Sequence, residues 1–229
     1  DAQFEAQLDQ ALQHLQPKQQ LITLSHANNL KLLPVRLFKW GSETAGDEHV
    51  EQHDHHEGQH DLHIWLDPQN AIIMATTIQE ALSQRYPEHA TNFASNTAIL
   101  IKAIETADQT IRQRLQPLQG RSYITFHDAW QYFDNHYGLK LGGTISTGMA
   151  QQISARHLQG LYRTIKDQQI KCLFYEPQFS QHALDTVAQE LGLNTFVLDP
   201  LGSRIPLSAN TYPELLTKLA DGLATCLSP

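Results

Sequence analysis

The chain has 229 residues, 41% of them hydrophobic, and a net charge of −8 from 16 basic and 24 acidic side chains. That length holds one large domain or two small lobes with ordinary cores, and the acidic balance argues against nucleic acid, whose phosphates demand a basic patch. No apolar run approaches the ~20 residues of a membrane helix, and a start at Asp1 without Met or a signal-peptide pattern leads us to expect a processed or truncated product.

Residues 1–16 read as a helix, with Phe4, Leu8, Leu12 and Leu15 at helical spacing. LITLS, 21–25, reads as a strand. A polar loop follows to about residue 61. Its distal part belongs to the run HVEQHDHHEGQHDLHIWLDP, 49–68, which holds six of the thirteen histidines: His49, His53, His55, His56, His60 and His63. Imidazole and carboxylate suit first-row divalent metals, zinc above all. No apolar periodicity appears before Leu62, so residues 42–61 are expected to form an acidic, solvated, collecting loop. His63 differs. It sits in the apolar stretch DLHIWL, directly before Asp67-Pro68, a good helix start.

A helix is predicted from Asp67 to about Tyr86, with Ala71, Ile72, Ala75, Ile78 and Leu82 on one face. Pro87 restarts helix in a pattern that keeps its spacing through Phe93, Leu100, Ile101, Ile104, Ile111 and Leu115. About 28 helical residues span roughly 42 Å, enough to cross the molecule and join two lobes rigidly. After Gly120, strands and helices alternate. The strands are SYITF (122–126), a weaker KLGGTI, CLFYE (172–176) and TFVLD (195–199); the helices are 128–137, 154–168, 180–191 and 211–227. Ser154 and Ser180 fit as N-caps, Gly138 and Gly192 as C-terminal stops. Such alternation predicts an α/β fold with a mostly parallel sheet.

Ligands of open α/β sheets bind outside the carboxyl ends of the strands. SYITF is followed there by His127 and Asp128, CLFYE ends in Glu176 and TFVLD ends in Asp199. Together with His63 these residues suggest a metal site between two lobes. Plainer roles exist for each. His63 fits a satisfied core histidine, His127 a helix-start residue, Glu176 a brace before Pro177, and Asp199-Pro200 a turn initiator. Trp65, Trp130, Tyr132 and Phe133 read most simply as packing. Cys172 and Cys226 are compatible with two buried thiols, a disulfide or half a metal site; no CxxC is present. A single leftover pair fits an oxidising compartment, and a Cys172–Cys226 disulfide is the expectation.

At DLHIWLDP, TFHDAWQYF, FYEPQFS and LDPLG the sequence resembles the ZnuA-type periplasmic zinc-binding proteins of ABC importers, over nearly the whole chain. The acidic His-rich loop, the long helix and the cysteine pair belong to the resemblance. It implies two lobes, each a mostly parallel sheet with helices, joined by one long rigid helix, with Zn2+ bound between them. The implied division is an incomplete N-terminal lobe over 1–86, a connecting helix over 87–119 and a C-terminal lobe over 120–229. His63 and His127 match the family's second and third metal histidines, and Asp199 matches a carboxylate position. An imidazole at His127 favours zinc, since manganese-binding relatives carry a carboxylate there. The family's first metal histidine belongs to a βα segment preceding Asp1, and neither His14 nor His26 matches it. The implied function is zinc capture in the periplasm by a monomer, not an enzyme, that serves a membrane permease. His49, His53, His55, His56 and His60 would add weak auxiliary sites. Two rivals remain: a zinc hydrolase with Glu176 as general base, and a metal-buffering or adhesion protein on the same fold.

Overall fold

The computed structural model describes residues 20–36, 38, 60–146, 155–179 and 181–228. The expected helix 1–16, nearly all of the loop 42–61, and the caps Ser154 and Ser180 lie outside the described residues.

The first half starts differently from the reading of LITLS. Residues 21–23 belong to no regular element, and Leu24–His26 form a 3-10 turn. A strand exists by ladder pairing, and residues 21–25 have no ladder partner among the described residues. The first strands are instead β1 (Leu33–Pro34) and β2 (His60–Asp61), paired antiparallel with Leu33 opposite Asp61. Among the described residues of this half the pairing is antiparallel, and the mostly parallel sheet expected for it is not present there.

Asp67 begins helix α1 (Pro68–Arg85) as expected: its carboxylate accepts from the Gln69 N–H at 2.9 Å, and Pro68 holds the first helical position. A 3-10 turn at Pro87–His89 leads into α2 (Ala90–Leu115). Its 26 residues span about 39 Å. Ile104, Asp108, Ile111 and Leu115 form its buried stripe, at helical spacing.

The second half is the predicted alternation. Strands β3 (Ser122–Thr125), β4 (Lys140–Thr144), β5 (Cys172–Tyr175) and β6 (Asn194–Val197) form one sheet in the order β4-β3-β5-β6, parallel throughout. Helices α3 (Gln131–Tyr137), α4 (Ala155–Asp167), α5 (Gln181–Leu191) and α6 (Thr211–Leu227) connect and follow the strands. Both faces of the sheet are covered, so all four residues of β5 are buried. The period of two divides them: Cys172 and Phe174 join Trp130, Tyr132 and Phe133 in one core, while Leu173 and Tyr175 join Ile124 and Leu161 in the other. Gly138 and Gly192 stop α3 and α5 at φ 74 and 67, the left-handed conformation that favours glycine. No helix among the described residues is long and apolar enough to cross a membrane.

Cys172 and Cys226 form the expected disulfide, with Cα atoms 6.0 Å apart, fastening β5 to α6. The link closes a sequence separation of 54 residues. Chain entropy assigns such a loop about 4 kcal/mol. Replacing both cysteines by Ser is therefore expected to lower the unfolding free energy by about that amount in a urea titration. An unchanged midpoint would show that the link does not stabilise the fold.

Candidate metal centre

His63 leaves β2 two residues after Asp61, so the two side chains start on the same side of an extended chain. Asp61 is buried, and its Oδ1 accepts from the His63 backbone N–H at 3.0 Å and lies 2.7 Å from the ring Nδ1. The β1–β2 pair beneath it is fixed from the second half of the molecule. The Tyr132 hydroxyl donates to the Asp61 carbonyl at 2.6 Å and accepts from the Leu33 N–H at 2.9 Å.

His127 leaves β3, an inner strand. The β3–β5 register pairs Thr125 with Phe174, and the Phe126 N–H extends the ladder to the Phe174 carbonyl at 2.9 Å. Two residues beyond the last pair, His127 lies beside Glu176. Their side chains meet, Nδ1 to Oε1 at 3.2 Å. Glu176 is fully buried, and its other carboxylate oxygen has no hydrogen-bond partner among the described residues. Burial alone would lower the His127 pKa. The Glu176 hydrogen bond and charge, helped by Asp128 and Asp61, outweigh burial and hold it above the ordinary 6.5.

The two rings are neighbours in an edge arrangement, with centroids 5.2 Å apart and planes inclined by 62°. Each has Nδ1 against a carboxylate, so each neutral ring carries its proton on Nδ1 and its lone pair on Nε2. Zinc bound at about 2.0–2.1 Å from a ring nitrogen lies roughly 3.2 Å from the ring centre; a tetrahedral angle then separates two such centres by about 5 Å. The observed centroid spacing matches that distance. Trp65 flanks His63, and Phe179 flanks His127, at centroid distances of 5.4 and 6.4 Å.

The base of the site is clamped by Arg36. Its guanidinium donates twice to Asp128, at 2.9 Å each, and once to Asp134 at 3.0 Å. Tyr123 donates to the other oxygen of Asp134. Burial works against the Arg36 charge, but the two carboxylates outweigh it and raise its pKa. The residue after His127 is thus held by a residue from the chain's first half.

Asp199 is placed differently. Its Oδ1 accepts from the N–H groups of Leu201 and Gly202 at 3.1 Å, and its Oδ2 accepts from the N–H and hydroxyl of Ser203 at 2.7 Å. It organises the turn after β6, an edge strand two positions from β3. Two strand spacings are about 10 Å. The turn nevertheless touches the His63 segment: Trp65 Nε1 donates to the Pro200 carbonyl at 2.9 Å, and Tyr212 donates to the Trp65 carbonyl at 2.6 Å. Among the described residues no three His, Cys, Asp or Glu side chains converge to hold a metal. His60 is exposed on β2; His49, His53, His55 and His56 lie outside the described residues.

Sequence reasoning missed Asp61 and Arg36, and it read Glu176 as a metal-site candidate, a brace or a general base. The spacing D-x-H flags the first partner. The strand register supplies the Glu176–His127 pair, and no local signal points to Arg36.

The chain matches, over residues 1–226, the family described as ZnuA, zinc-uptake complex component A, periplasmic. It belongs to that family. It is 36% identical over 171 residues to the high-affinity zinc uptake system protein ZnuA of Brucella suis biovar 1 (strain 1330), covering 75% of this chain and 51% of that protein. The chain thus spans about half the length of the curated relatives it matches. A crystal structure of ZnuA superposes with a TM-score of 0.77 at 27% identity, covering 100% of this chain and 77% of that one. A zinc-bound ZnuA deletion mutant gives 0.78 at the same identity and coverage. The α/β fold is the one these structures share.

Glu176→Gln keeps an acceptor for His127 but removes the charge. If His127 is a zinc ligand, the change is expected to weaken zinc binding about tenfold, and in any case to return the His127 pKa toward its ordinary value. Calorimetry and an NMR titration of the ring check both; unchanged affinity would reduce Glu176 to a packing residue.

Proposed function

We propose that this chain is the zinc-capturing component of an ABC-type importer, acting in the periplasm and delivering Zn2+ to a membrane permease. The observation that carries the reading is the pair of neighbouring imidazoles, His63 and His127, each with Nδ1 held by a carboxylate and with ring centres 5.2 Å apart. Membership of a periplasmic zinc-uptake family supports it. So does the likeness to a zinc-bound ZnuA structure.

In this reading zinc takes Nε2 of His63 and Nε2 of His127. Asp199 joins only by giving up part of its own turn, so it is the weaker ligand. Remaining positions fall to other donors or water. Residues 1–86 serve as one lobe, 87–119 as the connecting helix and 120–229 as the other lobe. The protein works as a monomer. His49, His53, His55, His56 and His60 act as a weak auxiliary set of imidazole donors. A hydrolase would need Glu176 to reach a metal-bound water. Its full burial against His127 speaks for a holding role. Capture requires no catalytic group.

His63→Ala and His127→Ala are each expected to weaken zinc binding at least about tenfold, or about 1.4 kcal/mol. Asp199→Ala should cost less. Calorimetric affinities unchanged in both histidine variants would refute the site.

Affinity should also fall with falling pH, because protons compete for both imidazoles. The raised His127 pKa moves the onset above 6.5. Where both rings are protonated, each pH unit removes up to about two decades of affinity. A chelator-competition titration from about pH 7.5 to 5, corrected for the chelator's own protonation, reads the slope. Flat affinity across that range contradicts a two-histidine site.

A further inference from the structure

A second histidine-carboxylate cluster lies outside the His63–His127 pair. His136, near the end of α3, is 7% exposed in its side chain, with Nδ1 3.2 Å from Asp67 Oδ1 and Nε2 2.8 Å from Asp108 Oδ1. Asp67 caps α1, and Asp108 belongs to the buried stripe of α2. Arg112, one turn along α2, brings Nη2 to 2.6 Å from His136 Nε2 and bonds Asp108 through Nε at 3.2 Å. The Tyr137 ring stands edge-on to the imidazole, 4.7 Å between centroids. Burial raises the pKa of the Tyr212 phenol on α6, and the charges of Asp67 and Asp108 add to the rise. Lys31 adds a weaker positive field at Asp67.

The donor inventory limits what this ring can do. Carboxylates accept only and guanidinium donates only. Nε2 can therefore serve Asp108 as an N–H or Arg112 as a lone pair, but not both at once. Among the described residues Nδ1 faces Asp67 alone, an acceptor, so Nδ1 is the donor of that contact. The grip on Asp67 is the constant feature of the cluster.

Asp67 is also where the His63 segment ends. Three residues separate the two, the 3-10 turn Ile64–Leu66. The helix that carries His136 leaves directly from the His127–Asp128 segment. Burial alone would raise the Asp67 pKa. The His136 contact and the Gln69 N–H outweigh burial and hold it below its ordinary value, as a carboxylate fixed in the charged form.

We propose that His136 is a positioning residue for zinc capture: through Asp67 it fastens the segment carrying His63 to the helix that follows His127, and so sets the spacing of the two imidazoles. The proposal rests on the zinc-binding reading above. It adds a contact remote from the metal that tunes the site without touching it.

The test uses the wild-type chain with zinc alone as probe, in competition with a chromophoric chelator. Asp67→Ser keeps a good helix cap but is too short to reach the imidazole. His136→Gln removes the ring. Each is expected to weaken zinc about fivefold, within the range for residues coupled to a site at a distance. The double variant should be no worse than the worse single one, because both remove the same contact. A lowered unfolding midpoint with unchanged zinc affinity would make the contact merely structural and overturn the proposal. Losses that add would overturn the route through Asp67. The 15N spectrum of the zinc-free wild type needs no variant: it should show His136 Nδ1 protonated, and an Nε2–H tautomer refutes the arrangement even if His136→Gln fails to fold. His63→Ala separates the two readings. If it leaves affinity unchanged, the zinc site itself fails; if it weakens binding while His136→Gln does not, only the positioning role fails.

Discussion

The ladder between β3 and β5 is the constraint from which the site follows. Parallel strands leave a sheet at the same edge, and register decides which side chains leave together. Pairing Thr125 with Phe174 puts His127 beside Glu176 two residues later. Because both strands are internal and covered on both faces, Glu176 is fully buried, and a buried carboxylate needs a partner. His127 is that partner. The same ordering holds Asp199 on the far edge strand, where its turn takes up all of its observed hydrogen bonds.

The two imidazoles arrive from unrelated places and are treated alike. One is held by a carboxylate two residues earlier in the chain, the other by a carboxylate across a sheet. In both cases the contact is at Nδ1, which fixes the tautomer and presents Nε2 as the basic atom. In the proposed site zinc would meet rings that already have their proton on Nδ1 and their spacing set. Less conformational entropy is lost on binding than a mobile chain would lose. The surrounding contacts serve that spacing: Tyr132 on the β1–β2 pair, Arg36 on Asp128, and Trp65 on the turn after β6.

Much of this was legible in the sequence, for definite reasons. Alternation of strand and helix after Gly120 is a change of apolar period, which is local, and all four strands and four helices of that half appear within a few residues of the expected bounds. His63 and His127 stand out because each is a polar residue in an apolar setting at an element boundary. Their partners are harder to read. Glu176 becomes a partner only through the β3–β5 register, and Arg36 only through the packing of residues 92 and 98 positions away. LITLS has the composition of a strand but no described partner, and composition cannot supply one. LDPLG was readable in two ways, as ligand or as turn, and the structure displays the turn.

The proposed site binds one zinc ion through two imidazoles. Zinc K-edge X-ray absorption on the chain loaded with one equivalent tests it most directly. A two-imidazole site gives a first shell at about 2.0–2.1 Å with outer-shell scattering that fits two imidazole rings. A first shell of oxygen alone, without imidazole scattering, would contradict it.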